Sequence, residues 1–380
     1  MRFFQKKKEN SKKRVLRKWW IPGIVLVMIA VLMVVLFLPA RQTETLEAAA
    51  DEVKSAPVAK TIEADYADLA YQNLLENTPD FDNLTAGEDY TDDEIIILFA
   101  SDEEKAAVES ALTESGAEKL EDISQNMALV KVPEGVSVAD YYVALNDTLG
   151  EVAAQPNYIY HLLEDETQTN TKKNKSETKK TKEAPDEAPD AFGVTYLTED
   201  MTITATPNDP QTYRQMYLDE IEAFTAWDEV DGFNSGDGVI VAIIDTGIDL
   251  DHPDLAANIV DGVCYTGENT TGQDNHGHGT HVAGIVAAVA NNGTGVSGVA
   301  PGASLMAIKT MASDGYGSTS NIVRGIEYAV ANGADIINMS IGALGYDGVL
   351  DSAVTYAKNN GVVVVCAAGN EGTDAPAWPS

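Results

Sequence analysis

The chain has 380 residues, 44% of them hydrophobic and 22% charged, with 60 Asp and Glu against 25 Lys and Arg. That much apolar residue excludes wholesale disorder, and the length suggests two or three folded units. A formal net charge of −35 excludes a general nucleic-acid binder, which phosphate would repel.

The charge is unevenly placed. Residues 1–20 hold nine basic residues and a single acid, Glu9. From Pro207 onward only Arg214, Lys309, Arg324 and Lys358 are basic, against 22 acids. Behind Trp19 and Trp20 follow eighteen uncharged residues, 21–38. This run is long enough to cross a bilayer with the tryptophans at the interface, and the basic flank puts residues 1–20 in the cytoplasm. A cleaved signal peptide, cut near Pro39-Ala40 or residues 48–50, fits the same pattern. Either way the body is extracytoplasmic, membrane-anchored through residues 21–38 or secreted. Two cysteines, Cys264 and Cys366, are too few to staple an exported domain and read as small buried hydrophobes.

Residues 41–92 read as an acidic, weakly structured or helical spacer. From Glu94 the pattern sharpens. Residues 95–99 form an apolar strand. Ser101 with Glu104 is a capping-box signature for a helix to Ser115, stopped by Gly116. Strands are predicted near Leu120 and over 128–132. Val138, Tyr141, Tyr142, Leu145 and Leu149 recur at helical spacing between Ser137 and Gly150, and residues 158–161 close the unit. The order β-α-β-β-α-β predicts a small α+β ferredoxin-like domain over 93–163. Residues 164–206, rich in Lys and Thr with Pro185 and Pro189, form a charged linker. The second unit, 207–380, alternates β-branched strands (239–244, 305–309, 336–338, 361–366) with helices (278–290, 322–332, 349–359). That alternation predicts an α/β domain with a parallel sheet covered on both faces.

The strand 239–244 ends at Asp245-Thr246-Gly247, at the sheet edge where α/β sites form. An acid emerging there from six apolar residues needs a partner. Asp-Thr-Gly is also the aspartic-protease signature, but Ile248 follows and no second copy exists. His276, His278 and His281 cluster where a helix begins, carrying the stripe Val282, Ile285, Val286 and Val289. One helical turn cannot aim all three at a zinc ion, and no nearby Cys completes a set. An Asp and a His at the edge of one parallel sheet make two thirds of an Asp–His–Ser triad.

The run Asp245-Thr246-Gly247-Ile248-Asp249 is followed by His252-Pro253-Asp254-Leu255 and by His278-Gly279-Thr280-His281-Val282-Ala283-Gly284. Then come Gly298-Val299-Ala300-Pro301, Asn338-Met339-Ser340-Ile341-Gly342 and Ala367-Ala368-Gly369-Asn370-Glu371-Gly372. Together and in this order they resemble the subtilisin-like serine peptidases, and 93–163 resembles that family's inhibitory propeptide. The resemblance implies a three-layer subtilisin-like domain, incomplete at its C-terminus, hydrolysing peptide bonds. It makes His278 the general base, Asp245 its orienting carboxylate and Asn370 the oxyanion donor. Gly315, Gly317, Ser340, Ile341, Gly342, Ala368 and Gly369 would line the groove for an extended peptide. His281 would be structural and His276 an exposed flank. A structural Ca²⁺ site is implied at Asp209, Asp254 and Asn292 with the carbonyls of Ala290, Thr294 and Val296. The propeptide 93–163 would be the domain's intramolecular inhibitor, and no organic cofactor or nucleic acid is expected.

One residue of the implied triad has no match. The family carries its nucleophile in Gly-Thr-Ser, a tripeptide these 380 residues do not contain. Ser340 belongs to the groove segment and Ser380 lies on the wrong connection. The sequence therefore reads as a zymogen truncated before its serine, inactive as given. The competing reading is a non-catalytic fragment, or an inhibitor- or chaperone-like module carried by 93–163.

Overall fold

A computed structural model describes residues 70–163 and 206–370, except residues 125, 231 and 344, together with Pro379. The segment 1–20, the apolar run 21–38, the spacer up to residue 69 and all but the last residue of the linker lie outside the described residues. Among the described residues no helix is long and apolar enough to cross a membrane.

The first unit follows its sequence signals closely. It runs β1 (Tyr90–Leu98), α1 (Asp102–Ser115), β2 (Glu118–Ser124), β3 (Met127–Lys131), α2 (Val138–Leu149) and β4 (Ala154–Leu162). Ser101 Oγ accepts the Glu104 N–H and the Glu104 carboxylate accepts the Ala100 N–H, so both partners of the capping box are engaged. Ser137 caps α2 through the Asp140 N–H. Each such cap is worth about 1 kcal/mol of helix stability. The strands pair antiparallel in the order β4-β1-β3-β2, the ferredoxin-like arrangement.

Two boundaries differ from expectation. Residues 70–76 are helical, residues 81–83 form a single 3₁₀ turn, and β1 begins at Tyr90. Ala70, Leu74 and Tyr90 are buried in the same core as β1, so the expected spacer 41–92 is folded from Ala70 onward. Its acidic composition hides a short apolar stripe, Ala70, Tyr71, Leu74 and Leu75, too brief for periodicity to reveal. The last strand is also longer than the 158–161 expected, because residues 154–157 pair with β1.

The second unit opens with two short helices, α3 (Met216–Glu220) and α4 (Ala223–Glu229), pinned where Trp227 Nε1 donates to Val299 O at 2.9 Å. There follow β5 (Ile240–Asp245), β6 (Ile259–Cys264), α5 (His278–Ala287), β7 (Ser304–Lys309), β8 (Tyr316–Ser318), α6 (Thr319–Ala331), β9 (Ile336–Met339), β10 (Ile341–Gly342), α7 (Gly348–Asn359) and β11 (Val363–Cys366). Five strands form a parallel sheet in the order β11-β9-β5-β7-β6. Alternate residues of β5 serve opposite faces, as a strand's two-residue period requires. Val241 and Ile243 pack with Val282 and Val286 of α5, whereas Ala242 and Ile244 pack with Ile322 of α6 and Val349 of α7. The three-layer α/β expectation therefore holds. Strand β6, with Asp261 and Gly262 at its centre, lacks the apolar run that announces the others. Helix α5 stops at Ala287 rather than residue 290, the chain leaving at Ala288 with an extended backbone. Cys264 and Cys366 are unpaired and only half-buried, so neither is the fully buried hydrophobe expected.

The two units share one apolar core. Residues of β1, β3, β4 and the 70–76 helix belong to the same cluster as α6, α7 and one face of the parallel sheet. Polar bonds at its rim fix the register: Arg324 reaches Glu121 at 2.7 Å, and Asn157 accepts the Ser320 N–H at 3.1 Å. From the 70–76 helix, Asn73 donates to Asp351 and Ser352 of α7.

Candidate active site

Strand β5 delivers Asp245 to the C-terminal edge of the sheet, fully buried. Helix α5 starts opposite it with His278 as its first residue. His278 Nδ1 lies 2.8 and 2.9 Å from the two oxygens of Asp245. The Thr246 N–H donates to the same carboxylate at 2.7 Å, and Thr246 Oγ1 accepts the Gly279 N–H at 2.9 Å. That bond ties the strand's turn to the helix start. A side chain at Gly279 would strike the carbonyl of Gly247, so only glycine allows the helix to approach so closely.

Two networks that sequence reasoning missed hold this pair in place. Asp274 accepts the N–H groups of His276, Gly277 and Thr280 and the Thr280 hydroxyl at 2.6 Å. Burial opposes its ionisation, but these donors, Thr280 foremost, outweigh it and hold the carboxyl below its ordinary range. The signal was present as an acid four residues before the helix. Lys309, fully buried at the end of β7, donates to the carbonyls of Thr246 and Met311 and to Asn275 Oδ1, each at 2.9 Å. It also pairs with Glu268 at 3.0 Å. Burial works against ionised Glu268, yet bonds from Ser313, Lys309 and Asn275 hold it down at about 2. No sequence pattern marks a lysine at a strand end as buried. Of the other histidines, His276 is half-buried rather than an exposed flank, and His281 is exposed on α5.

The expected groove is filled by the first unit's last strand. β4 runs antiparallel between β8 and β10, pairing Tyr160 with Gly317, His161 with Gly342 and Leu162 with Ile341. The Leu162 N–H donates to Gly315 O at 3.2 Å and the Leu163 N–H to Ser340 O at 3.4 Å. The structure thus brings Gly315, Gly317, Ser340, Ile341 and Gly342 together on one extended peptide. A side chain at Gly317 would meet Met311 Sδ and, at 2.7 Å, Thr310 O. Asn370 follows β11, whose C-terminal end aligns through β9 with that of β5. Ala368, Gly369 and Asn370 therefore stand on the edge that carries Asp245, although among the described residues no bond joins them to the last strand of the first unit.

The expected cation ligands also converge. Asp209 takes the N–H groups of Asn291, Asn292 and Gly293 and the Ser297 hydroxyl. Asp254 takes Asn292 Nδ2 at 2.8 Å and the Val296 N–H at 2.9 Å. All four acceptor positions of Asp209 are engaged, so it braces the loop and has none left for a metal. Asp254 keeps spare lone pairs, and among the described residues nothing donates to the carbonyls of Ala290, Thr294 or Val296. This remaining set of hard oxygens fits Ca²⁺.

Residues 236–380 match the Subtilase family, and residues 77–157 match the Fervidolysin N-terminal prodomain. Thermitase of Thermoactinomyces vulgaris is 44% identical over 176 residues, 46% of this chain and 62% of that protein. Subtilisin E of Bacillus subtilis (strain 168) is 49% identical over 140 residues, 37% of this chain and 36% of that protein. The crystal structure of fervidolysin from Fervidobacterium pennivorans, a keratinolytic enzyme related to subtilisin, superposes with a TM-score of 0.58 at 26% identity. That match covers 78% of this chain and 42% of that one. The chain therefore spans less than two thirds of each of these relatives.

Proposed function

Because residues 236–380 match the Subtilase family and residues 77–157 match a fervidolysin-type prodomain, we propose that this polypeptide is a zymogen form of a subtilisin-like serine endopeptidase. The observation that carries the reading is the seating of β4 as a third strand between β8 and β10, beside the Asp245–His278 pair. Strand addition of this kind recognises backbone, so the same groove accepts peptides of many sequences.

In this reading Asp245 keeps the His278 proton on Nδ1, leaving Nε2 as the base that takes a proton from a serine hydroxyl. Asp245 then stabilises the imidazolium that forms. Asn370 offers its side-chain amide to the developing oxyanion, a contribution of about 10²–10³ in kcat, known from subtilisin itself. Gly315, Gly317, Ser340, Ile341 and Gly342 hold the substrate backbone, with Ala368 and Gly369 lining its reactive end. Residues 1–380 supply no Gly-Thr-Ser nucleophile, so the 380-residue polypeptide is expected to be catalytically silent. A bound Ca²⁺ would neutralise Asp254 and tie the loop 290–296 to the body of the domain, held by Asp254 and the carbonyls of Ala290, Thr294 and Val296. The basic segment and residues 21–38 would direct export, as an anchor or a cleaved signal.

Labelling with a serine-reactive fluorophosphonate tests the assignment. The 380-residue chain is expected to stay unlabelled. A longer polypeptide continuing through a Gly-Thr-Ser segment is expected to label once the prodomain is removed, and to lose labelling on His278→Ala. Labelling of the 380-residue chain, or labelling of the longer one that survives His278→Ala, would contradict it.

A further inference from the structure

The groove has a feature that backbone pairing does not require. Tyr160 is the tail residue three positions before Leu163, and its side chain is fully buried, in one cluster with Ile322, Ile341, Val349 and Leu350. Its neighbour His161 points to the other side, edge-on to Tyr316 with ring centres 4.9 Å apart. At the end of the Tyr160 pocket lies Asp347, itself 1% exposed. Asp347 Oδ2 accepts the Tyr160 hydroxyl at 3.0 Å and the Thr319 hydroxyl at 2.6 Å. Its Oδ1 accepts Gln155 Nε2 at 2.8 Å and the Leu350 N–H at 2.9 Å.

These four donors have two origins. Thr319 and Leu350 belong to the same unit as Asp347 and stay with it. Gln155 and Tyr160 belong to the prodomain and would leave with it. An emptied groove therefore presents a half-satisfied carboxylate at the end of an apolar pocket. Burial raises the Asp347 pKa, against the bonds from Thr319, Leu350, Gln155 and Tyr160, so each lost donor is felt. A phenylalanine in the pocket would cover that carboxylate and give it nothing. A tyrosine restores the missing hydrogen bond. Sites built to bind a hydroxyl reject the analogue lacking it far more strongly than apolar pockets reject a missing methylene.

We infer that Asp347 makes this pocket select tyrosine over phenylalanine, three residues before the one whose N–H pairs with Ser340 O, in any peptide lying between β8 and β10. The inference rests on the reading of that groove as the substrate groove. It places the prodomain's Tyr160 as a copy of the preferred substrate side chain, and Asp347 as a specificity-determining residue.

The test uses the full chain. Amide hydrogen exchange at Leu162, Gly317 and Gly342 reports how firmly the tail is seated. Tyr160→Phe is expected to speed exchange about tenfold to a hundredfold, the range for a hydrogen bond to a charged group. Asp347→Ser keeps a side chain able to cap α7 yet too short to reach the phenol. On that background Tyr160→Phe is expected to change exchange by less than about threefold. A Tyr160→Phe chain that exchanges like the parent, or an equal cost on both backgrounds, overturns the inference. A second arm titrates the Tyr160→Ala chain with the octapeptide of sequence 156–163 and with its analogue carrying phenylalanine in place of tyrosine at position 160. Tighter binding of the tyrosine peptide by about tenfold or more supports the selectivity. Equal binding overturns the selectivity alone, whereas no binding of either peptide overturns the groove reading and the inference with it.

Discussion

The amide of Leu162 donates to the carbonyl of Gly315 across 3.2 Å, and that bond joins the last strand of the first unit to the segment before β8, the wall of the proposed peptide groove. The contact is backbone to backbone, so the groove wall must come close, and close approach depends on small residues. Gly317 shows the limit, because any side chain there collides with Met311 and Thr310. Gly317→Val is expected to displace β8, free the tail on that side and lower Tm, while Ser318→Ala leaves both nearly unchanged. Limited proteolysis of the tail, read by mass spectrometry, checks this.

The Asp245–His278 pair is complete without a nucleophile. Its short Nδ1 contacts should give a strongly deshielded imidazole proton in the NMR spectrum of the 380-residue chain. Asp245→Asn is expected to remove that signal with little change in stability. In a serine-bearing polypeptide the same change is expected to lower kcat by about 10⁴, the loss known for an uncharged partner in a triad.

Much of this site was legible in the sequence because its motifs are local. Asp245 at a strand end and His278 at a helix start are placed by hydrophobic pattern alone. The groove residues required the resemblance, since two short edge strands have no periodicity of their own. What stayed hidden depends on chain segments far apart in sequence. Lys309 looks like any strand-end lysine until Thr246, Asn275, Met311 and Glu268 surround it. Asp347 looks like an ordinary helix cap until Gln155 and Tyr160 arrive from almost two hundred residues away. The expected spacer allowed for helix but not for its place at 70–76, because that helix is stabilised by docking and not by its own composition.

The ion pair between buried Lys309 and exposed Glu268 carries a pH signature. The Glu268 pKa is depressed from 4.5 to about 2, so its stabilising effect is present above pH 4.5 and is lost as pH falls toward 2. Glu268→Gln is expected to flatten this acid limb in a pH series of thermal unfolding. At neutral pH it should cost about 0–1 kcal/mol, because Glu268 is solvent-exposed and its charge is screened.

The 70–76 helix adds a second hold on the second unit. Leu74 is 2% exposed and sits against Gly348 at the start of α7. Leu74→Ala is expected to cost about 2–5 kcal/mol of stability. It should also raise amide exchange over 70–76 and over the first turn of α7 together. Exchange confined to residues 70–76 would show that the helix bears no load on its partner.

Calcium supplies an independent check on the loop 290–296. Millimolar CaCl₂ is expected to raise Tm over the same chain in EGTA, by mass action on the folded state. Asp254→Ala should abolish the rise, while Asp209→Asn, whose single acceptor oxygen keeps about half of the bracing contacts, should retain part of it. A rise that survives Asp254→Ala would place the ion elsewhere.

The last strand of the first unit lies in register between β8 and β10 as a peptide would. Disulfide trapping tests it most directly. His161 and Gly342 are direct partners across the β4–β10 pair, within the span of a disulfide. The double variant His161→Cys, Gly342→Cys is predicted to cross-link in nearly every molecule under mild oxidation, whereas Ile159→Cys, Gly342→Cys, two residues out of register, should not. Equal cross-linking of the two pairs, or none in either, would contradict the seating on which the zymogen reading stands.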